Sequence, residues 1–170
     1  MKKTVFFVGG LFLAICLIGQ NEFSVKIDKT KSYEAIALEI TGLSLVDFIN
    51  YEKTFSRGDC FSISLGEPKE IIMKSFSFEI SIQAEEILKE MEKVNYRPAT
   101  FPELLTLIKN YPELCAEGQV LVAIDPVWSK DVSGWGAPCI ARQGESVWLF
   151  LVAYSENFGG GQYKIFGVSE

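Results

Sequence analysis

Histidine is absent from all 170 positions. That removes the commonest general acid–base at neutral pH and the commonest metal ligand. Neither a Ser-His-Asp set nor a Cys-His set can be assembled from this chain alone. Cysteine is sparse: Cys16, Cys60, Cys115 and Cys139 stand far apart, and no pair gives a zinc-ligand spacing. No metal and no cofactor is expected. Basic residues are also few. Sixteen Lys and Arg stand against 22 Asp and Glu, a net charge of −6, and no basic stripe is visible. An acidic chain of this kind repels phosphate backbones, so nucleic acid is not an expected partner. Low-complexity tracts and solenoid repeats are missing as well. What is present is ordinary globular material. Apolar residues at 48 % and aromatics at 13 % suffice to fill a core and argue against disorder.

The N-terminus has its own character. Met1-Lys2-Lys3 is a short basic start, Thr4 to Gly19 carries no charge, and polar residues begin at Gln20. Basic start, apolar run and polar sequence is the order of a signal peptide. As a helix the run measures about 24 Å, short of a hydrocarbon core of about 30 Å. Residues 1–20 are therefore read as a signal peptide or membrane anchor, and 21–170 as one domain. Leu13-Ala14-Ile15-Cys16 also resembles a lipobox, which makes Cys16 a candidate for lipidation, although Ile15 stands where a small residue is usual. Without the first twenty residues the domain keeps 14 basic and 22 acidic residues. It also keeps three cysteines, an odd number that permits at most one internal disulfide. Each is read as a small buried hydrophobe.

Along the domain, Phe23–Asp28 alternates like a half-buried strand. Ser32 caps a short helix with Ile36, Ala37 and Ile40 at helical spacing, and Gly42 suits the position past its end. Strands are predicted at Cys60–Leu65 and from Ile72 to Ile80, the latter with Ile72, Phe76, Phe78 and Ile80 on one face. The Gly66–Lys69 turn joins the two as a hairpin. Ser81–Tyr96 predicts a helix capped by Ser81, with Ala84, Ile87, Leu88, Met91 and Val94 as its apolar stripe. Thr100-Phe101-Pro102-Glu103 is a capping box opening a second helix that Pro112 ends. Val120–Ile124 reads as a strand buried on both faces. Ala137–Arg142, Val147–Tyr154 and Tyr163–Val168 are further strands. Ser155–Gln162, with its three consecutive glycines, reads as a loose connector. The grouping of strands and helices gives an α+β class with a mainly antiparallel sheet and two to three helices, preceded by the N-terminal hydrophobic helix.

Tyr96-Arg97-Pro98-Ala99-Thr100 with Glu103-Leu104-Leu105, then Tyr111–Leu114, Val122–Trp128 and the terminal Phe166-Gly167-Val168, resemble a family of small proteins common in candidate-phyla bacteria, to which no activity is attached. The Arg-Pro-Ala-Thr-x-x-Glu-Leu motif is also similar to the helix entry of bacterial C-type-lectin-like domains. That resemblance implies two helices followed by several strands. The family's Glu-Pro-Asn calcium motif and its paired disulfide cysteines are missing.

Four residues are candidates for ligand contact. Trp128 and Trp135 flank a Gly/Ser-bearing segment and suit stacking on a sugar ring or a partner's apolar surface. Asp125 ends a buried strand just before Pro126, where a turn-forming aspartate is the alternative. Arg97 precedes the capped helix and suits a carboxylate, either a ligand's or one on this acidic surface. Gly159-Gly160-Gly161 lacks the Lys-Ser or Lys-Thr of a phosphate loop. Arg57-Gly58-Asp59 matches a cell-adhesion tripeptide, a match too short to count. Together these features point to an exported or membrane-tethered binding module more than to an enzyme. The alternatives are a carboxylate-based cell-envelope hydrolase and a self-associating surface protein.

Overall fold

A computed structural model describes residues 21–28, 31, 33–40, 43, 69–125, 127–129 and 134–169. Several expectations lie outside the described residues. They are the N-terminal segment 1–20 with Cys16, the caps Ser32 and Gly42, the Cys60–Leu65 strand, the Arg57-Gly58-Asp59 tripeptide and the turn before Lys69.

The alternation of Phe23 to Ile27 produces β1 (Glu22–Ile27), with Val25 and Ile27 buried and the charged residues outward. It pairs antiparallel with β2 (Lys69–Phe76), from Glu22↔Lys74 to Ile27↔Lys69. β2 in turn pairs antiparallel with β10 (Tyr163–Ser169). The next neighbour is β5 (Val120–Val122), parallel to β10, followed by β7 (Gly134–Gln143) and β8 (Ser146–Ala153), both antiparallel. The last strand in sequence is thus central in the sheet. Two short strands complete the eight: β4 (Tyr96–Pro98) pairs with β10, and β6 (Val127–Ser129) pairs with β7. The class is α+β with a mainly antiparallel sheet, as expected.

Helices cover both faces. On one side α1 (Tyr33–Leu38) and α3 (Phe101–Asn110) bury Ile36, Ala37, Phe101, Leu104, Leu105, Leu107 and Ile108 against Val25, Met73, Leu121, Ile140, Phe166 and Val168. On the other, α2 (Ala84–Glu92) buries Ala84, Ile87 and Met91 against Phe76, Val122, Cys139 and Ile165. This arrangement explains the apolar run at Val120–Ile124: alternate residues feed different cores, Leu121 and Ala123 one and Val122 and Ile124 the other. α3 is buried nearly all round, and its one polar core residue, Thr106, satisfies itself by donating to the Pro102 carbonyl at 2.8 Å.

Three expectations are corrected. First, the helix predicted from Ser81 starts at Ala84, because Ile82-Gln83 forms β3 and pairs with β9 (Asn157–Phe158). Gln83, not Ser81, is the cap, boxed with Glu86. The helix also stops early, since Asn95 turns the chain at φ 59° and leaves Val94 exposed. Second, β2 buries Ile71 and Met73 toward one core and Phe76 toward the other, while Ile72 is exposed. A two-faced sheet carries apolar residues in both phases, so a single-face reading picked the wrong isoleucine. β2 pairs with β1 and β10, while its expected hairpin partner lies outside the described residues. Third, the triple glycine does not sit in a loose connector. Phe158 is fully buried, and Gly159 at φ +141° lies so close to the backbone just before β3 that a Cβ would stand 2.1 Å from the Ile80 carbonyl oxygen.

Candidate functional site

The β7–β8 hairpin turns at Gly144, whose φ of 59° suits the tight reversal after Gln143. Along it, small residues of β7 oppose large ones of β8: Ala141↔Trp148, Cys139↔Phe150 and Ala137↔Val152. Val147 and Leu149 belong to the α1/α3 core, so Trp148, Phe150 and Val152 face the other side, the side of α2. Phe150, Val152 and Tyr154 are half-buried there, and the row ends in exposed rings, Trp148 at 45 % and Trp135 at 54 %. Tyr154 donates its backbone amide to the Trp135 carbonyl at 2.8 Å, which places Trp135 beside the far end of β8. From Trp148 to Tyr154 the row measures about 20 Å at the ordinary rise of a strand. Trp128 is the register partner of Trp135 across β6 and β7, so the two predicted tryptophans share a rung of a hairpin. Residues 130–133, which join its arms, lie outside the described residues.

The remaining candidates meet at a break in the sheet. β4 and β5 occupy one edge of β10 and converge head-on, with Val122 opposite Ile165 and Pro98 opposite Gly167. Neither can continue. β4 turns away into α3, its path fixed by Ala99 N–H donating to the Phe166 carbonyl at 2.9 Å. Beyond β5 the chain shifts register along β7, the six residues from Val122 to Val127 facing the four from Cys139 to Gly136. Asp125 sits in that bulge, close enough to Arg97 and Glu103 to feel both charges.

These three ionisable groups are in different states. Arg97 grips Glu103 with both guanidinium nitrogens, Nη1 to Oε2 at 2.9 Å and Nη2 to Oε1 at 2.6 Å, and also donates to the Pro98 carbonyl at 2.9 Å. Glu103 Oε2 accepts a further bond from the Thr100 amide at 2.8 Å, closing the capping box. Burial alone would raise the Glu103 carboxyl; the Arg97 bonds and the Thr100 amide outweigh it and hold the group below its ordinary value. Asp125 is pushed upward, first by burial and then by the Glu103 charge, with Arg97 opposing. Tyr154 is raised by burial and by the charges of Glu85 and Asp125.

Comparison with protein-family models, curated proteins and solved structures returns no match for this chain.

The structure therefore gathers Arg97, Asp125 and Trp135 at one end of the molecule, Tyr154 linking the charged corner to the aromatic row. Chemically the corner offers little. Both Glu103 oxygens are occupied by Arg97 and the helix cap, so Glu103 is not free to serve Asp125 as the second carboxylate that paired-acid hydrolysis needs. No group of three or more His, Cys, Asp or Glu that could hold a metal occurs among the described residues. Cys115 and Cys139 are buried free thiols, and burial raises both, Cys139 far above the usual thiol range, so neither is a ready nucleophile. One site residue escaped the sequence reading. Trp148 lies between Val147 and Leu149, and strict alternation along that strand would have turned it outward.

Proposed function

We propose that this chain is an exported or membrane-tethered, non-catalytic binding module whose contact surface is the aromatic row from Trp148 to Trp135. The observation that carries the reading is the pair of half-exposed tryptophans held on regular, hydrogen-bonded strands. Rings fixed in this way lose little freedom on binding, and tryptophan is the residue type most enriched among binding hot spots. The export half of the reading rests on the apolar run Thr4–Gly19; among the described residues no helix is long and apolar enough to cross a membrane. The lectin-like resemblance of the Arg97–Leu104 motif is the reason to include saccharides among the ligands tried.

Trp135 and Trp148 are about half exposed and belong to neither core, so their alanine variants are expected to fold. Titration against solubilised envelope proteins and a saccharide panel, followed by tryptophan fluorescence, is expected to show a saturable blue shift in the parent chain. Each variant should weaken that binding by about 2 kcal/mol, roughly 30-fold. Folded variants that keep every interaction of the parent would remove the reading.

The hydrolase reading is motivated by the raised Asp125, but the engagement of Glu103 speaks against it. Self-association is motivated by β8, an outer strand that pairs along its length with β7 and, among the described residues, meets only the single bridge Leu43↔Val147 on its other side. A concentration-dependent dimer that Trp148→Ala dissolves would favour that reading over a separate ligand.

A further inference from the structure

At the opposite end of β5 the sheet encloses a second feature. Phe23, Ser75, Gln119 and Lys164 occupy the same strand phase as Val25, Met73, Leu121 and Phe166, which all feed the α1/α3 core. That phase calls for apolar side chains wherever a helix covers it. Here α3 has already ended, and three of the four positions turn polar. Together with Asn21 and Glu79 they line a cavity of about 390 Å³, within the roughly 300–1,000 Å³ range of small-molecule sites. Its walls are pinned by backbone bonds, Ser75 N–H to the Asn21 carbonyl at 3.2 Å and Gly161 N–H to the Phe78 carbonyl at 3.3 Å. The cavity is therefore preformed.

Three lining groups lack partners. The Gln119 Oε1 atom is buried and accepts no hydrogen bond, a costly condition for a polar atom. Lys164 and Glu79 line the same cavity, yet neither pairs with the other or with any charge among the described residues. A lone cation and a lone anion on one cavity are complementary to one ligand class, whose carboxylate meets Lys164 and whose ammonium meets Glu79.

From this arrangement we infer a binding site for a small zwitterion of the amino-acid or dipeptide type, separate from the aromatic row. The ammonium contributes donors only and the carboxylate acceptors only, matching the two charged walls. Phe23 offers an apolar surface for the ligand's side chain.

The test is isothermal titration of the full-length chain with the standard L-amino acids and the dipeptide Ala-Ala at millimolar concentration. At least one of these probes is expected to bind saturably. Lys164→Met and Glu79→Gln should each weaken it by about tenfold or more, as loss of a charge-assisted hydrogen bond does. The same probe with its amine acetylated and its carboxylate amidated should fail to bind. Glu79 is exposed, so Glu79→Gln decides the matter even if Lys164→Met misfolds. No saturable binding by any probe, binding unchanged in Glu79→Gln, or equal binding of the blocked analogue would each overturn the inference; the first would mean that the cavity holds only water. Trp135→Ala should leave this binding intact, which separates it from the aromatic site.

Discussion

Arg97→Met keeps most of the side chain's apolar stem and removes the fork that holds Glu103. Its cost follows from where the pair sits. The Glu103 side chain is 12 % exposed and that of Arg97 36 %. Stripping one partner from a fully buried pair costs about 3–5 kcal/mol, because a charge is left buried alone, whereas exposed pairs are worth about 0.2–1 kcal/mol. With the arginine side discounted for solvent screening, about 2 kcal/mol is expected. For a domain of this size that corresponds to a fall in melting temperature of about 4–8 °C. The pH dependence is more telling than the size. Glu103 titrates below its ordinary 4.5 in the folded chain, so its stabilisation is complete above that pH and is lost as the pH falls through the folded value. The parent should therefore lose stability in acid, and the difference between parent and Arg97→Met should be largest at neutral pH and shrink below about pH 4. Urea unfolding at a series of pH values measures both quantities. Glu103→Gln, which keeps a capping side chain at the third helical position, completes a double-mutant cycle. A cost under about 0.5 kcal/mol, or one that does not vary with pH, would refute the assignment of this pair as a structural clamp.

Gly159→Ala adds a methyl group 2.1 Å from a backbone oxygen at φ +141°. It is expected to destabilise by about 4 kcal/mol or to abolish soluble expression, and a melting curve like the parent's would show that the β3–β9 ribbon is not pinned there. Asp125→Asn has the opposite sign. Burial and the Glu103 charge raise Asp125 above its ordinary 3.8, so its ionisation costs stability as the pH rises through the folded value. The asparagine variant should match the parent in acid and equal or exceed it at neutral pH, by no more than about 1 kcal/mol; a marked loss at neutral pH would mean that the carboxylate is held by a bond the geometry does not contain.

The parts of this fold that announce themselves in sequence are those with a single dominant periodicity or a cap. β1 alternates, α1 presents Ile36, Ala37 and Ile40 on one side, α3 opens on Thr100 and Glu103, and β7, β8 and β10 are long enough for their pattern to show. The failures share one cause: a partner distant in sequence overrides a local pattern. Ile82 lies inside the predicted helix but is taken by Phe158, 76 positions away. Tyr96–Pro98 is too short to read as a strand and becomes one only because β10 has an open edge there. β2 carries isoleucines in both phases, and only the helix packed above it selects Ile71 over Ile72. The site behaves likewise. Each candidate was visible as a residue type, but the meeting of Arg97 with Asp125 depends on two strands colliding on β10, which no local pattern encodes.

That collision also bears on what the Arg-Pro-Ala-Thr-x-x-Glu-Leu stretch is for. Every member has a structural task at the point where β4 must leave the sheet. Pro98 ends the pairing with Gly167, Ala99 is small and fully buried as it bonds Phe166, and Thr100 and Glu103 cap α3. Arg97 then ties the strand to the first turn of the helix, and Leu104 enters the core beside Leu105, after Phe101. The motif is thus a strand-to-helix joint in which each of these residues has a structural task. The residues with capacity to spare lie elsewhere: exposed rings on β7 and β8, and unpaired polar groups at the far end of β5. Under the proposed readings, stability and recognition fall on different residues, so the tryptophan and cavity variants should lose ligand without losing the fold, while Arg97→Met should do the reverse.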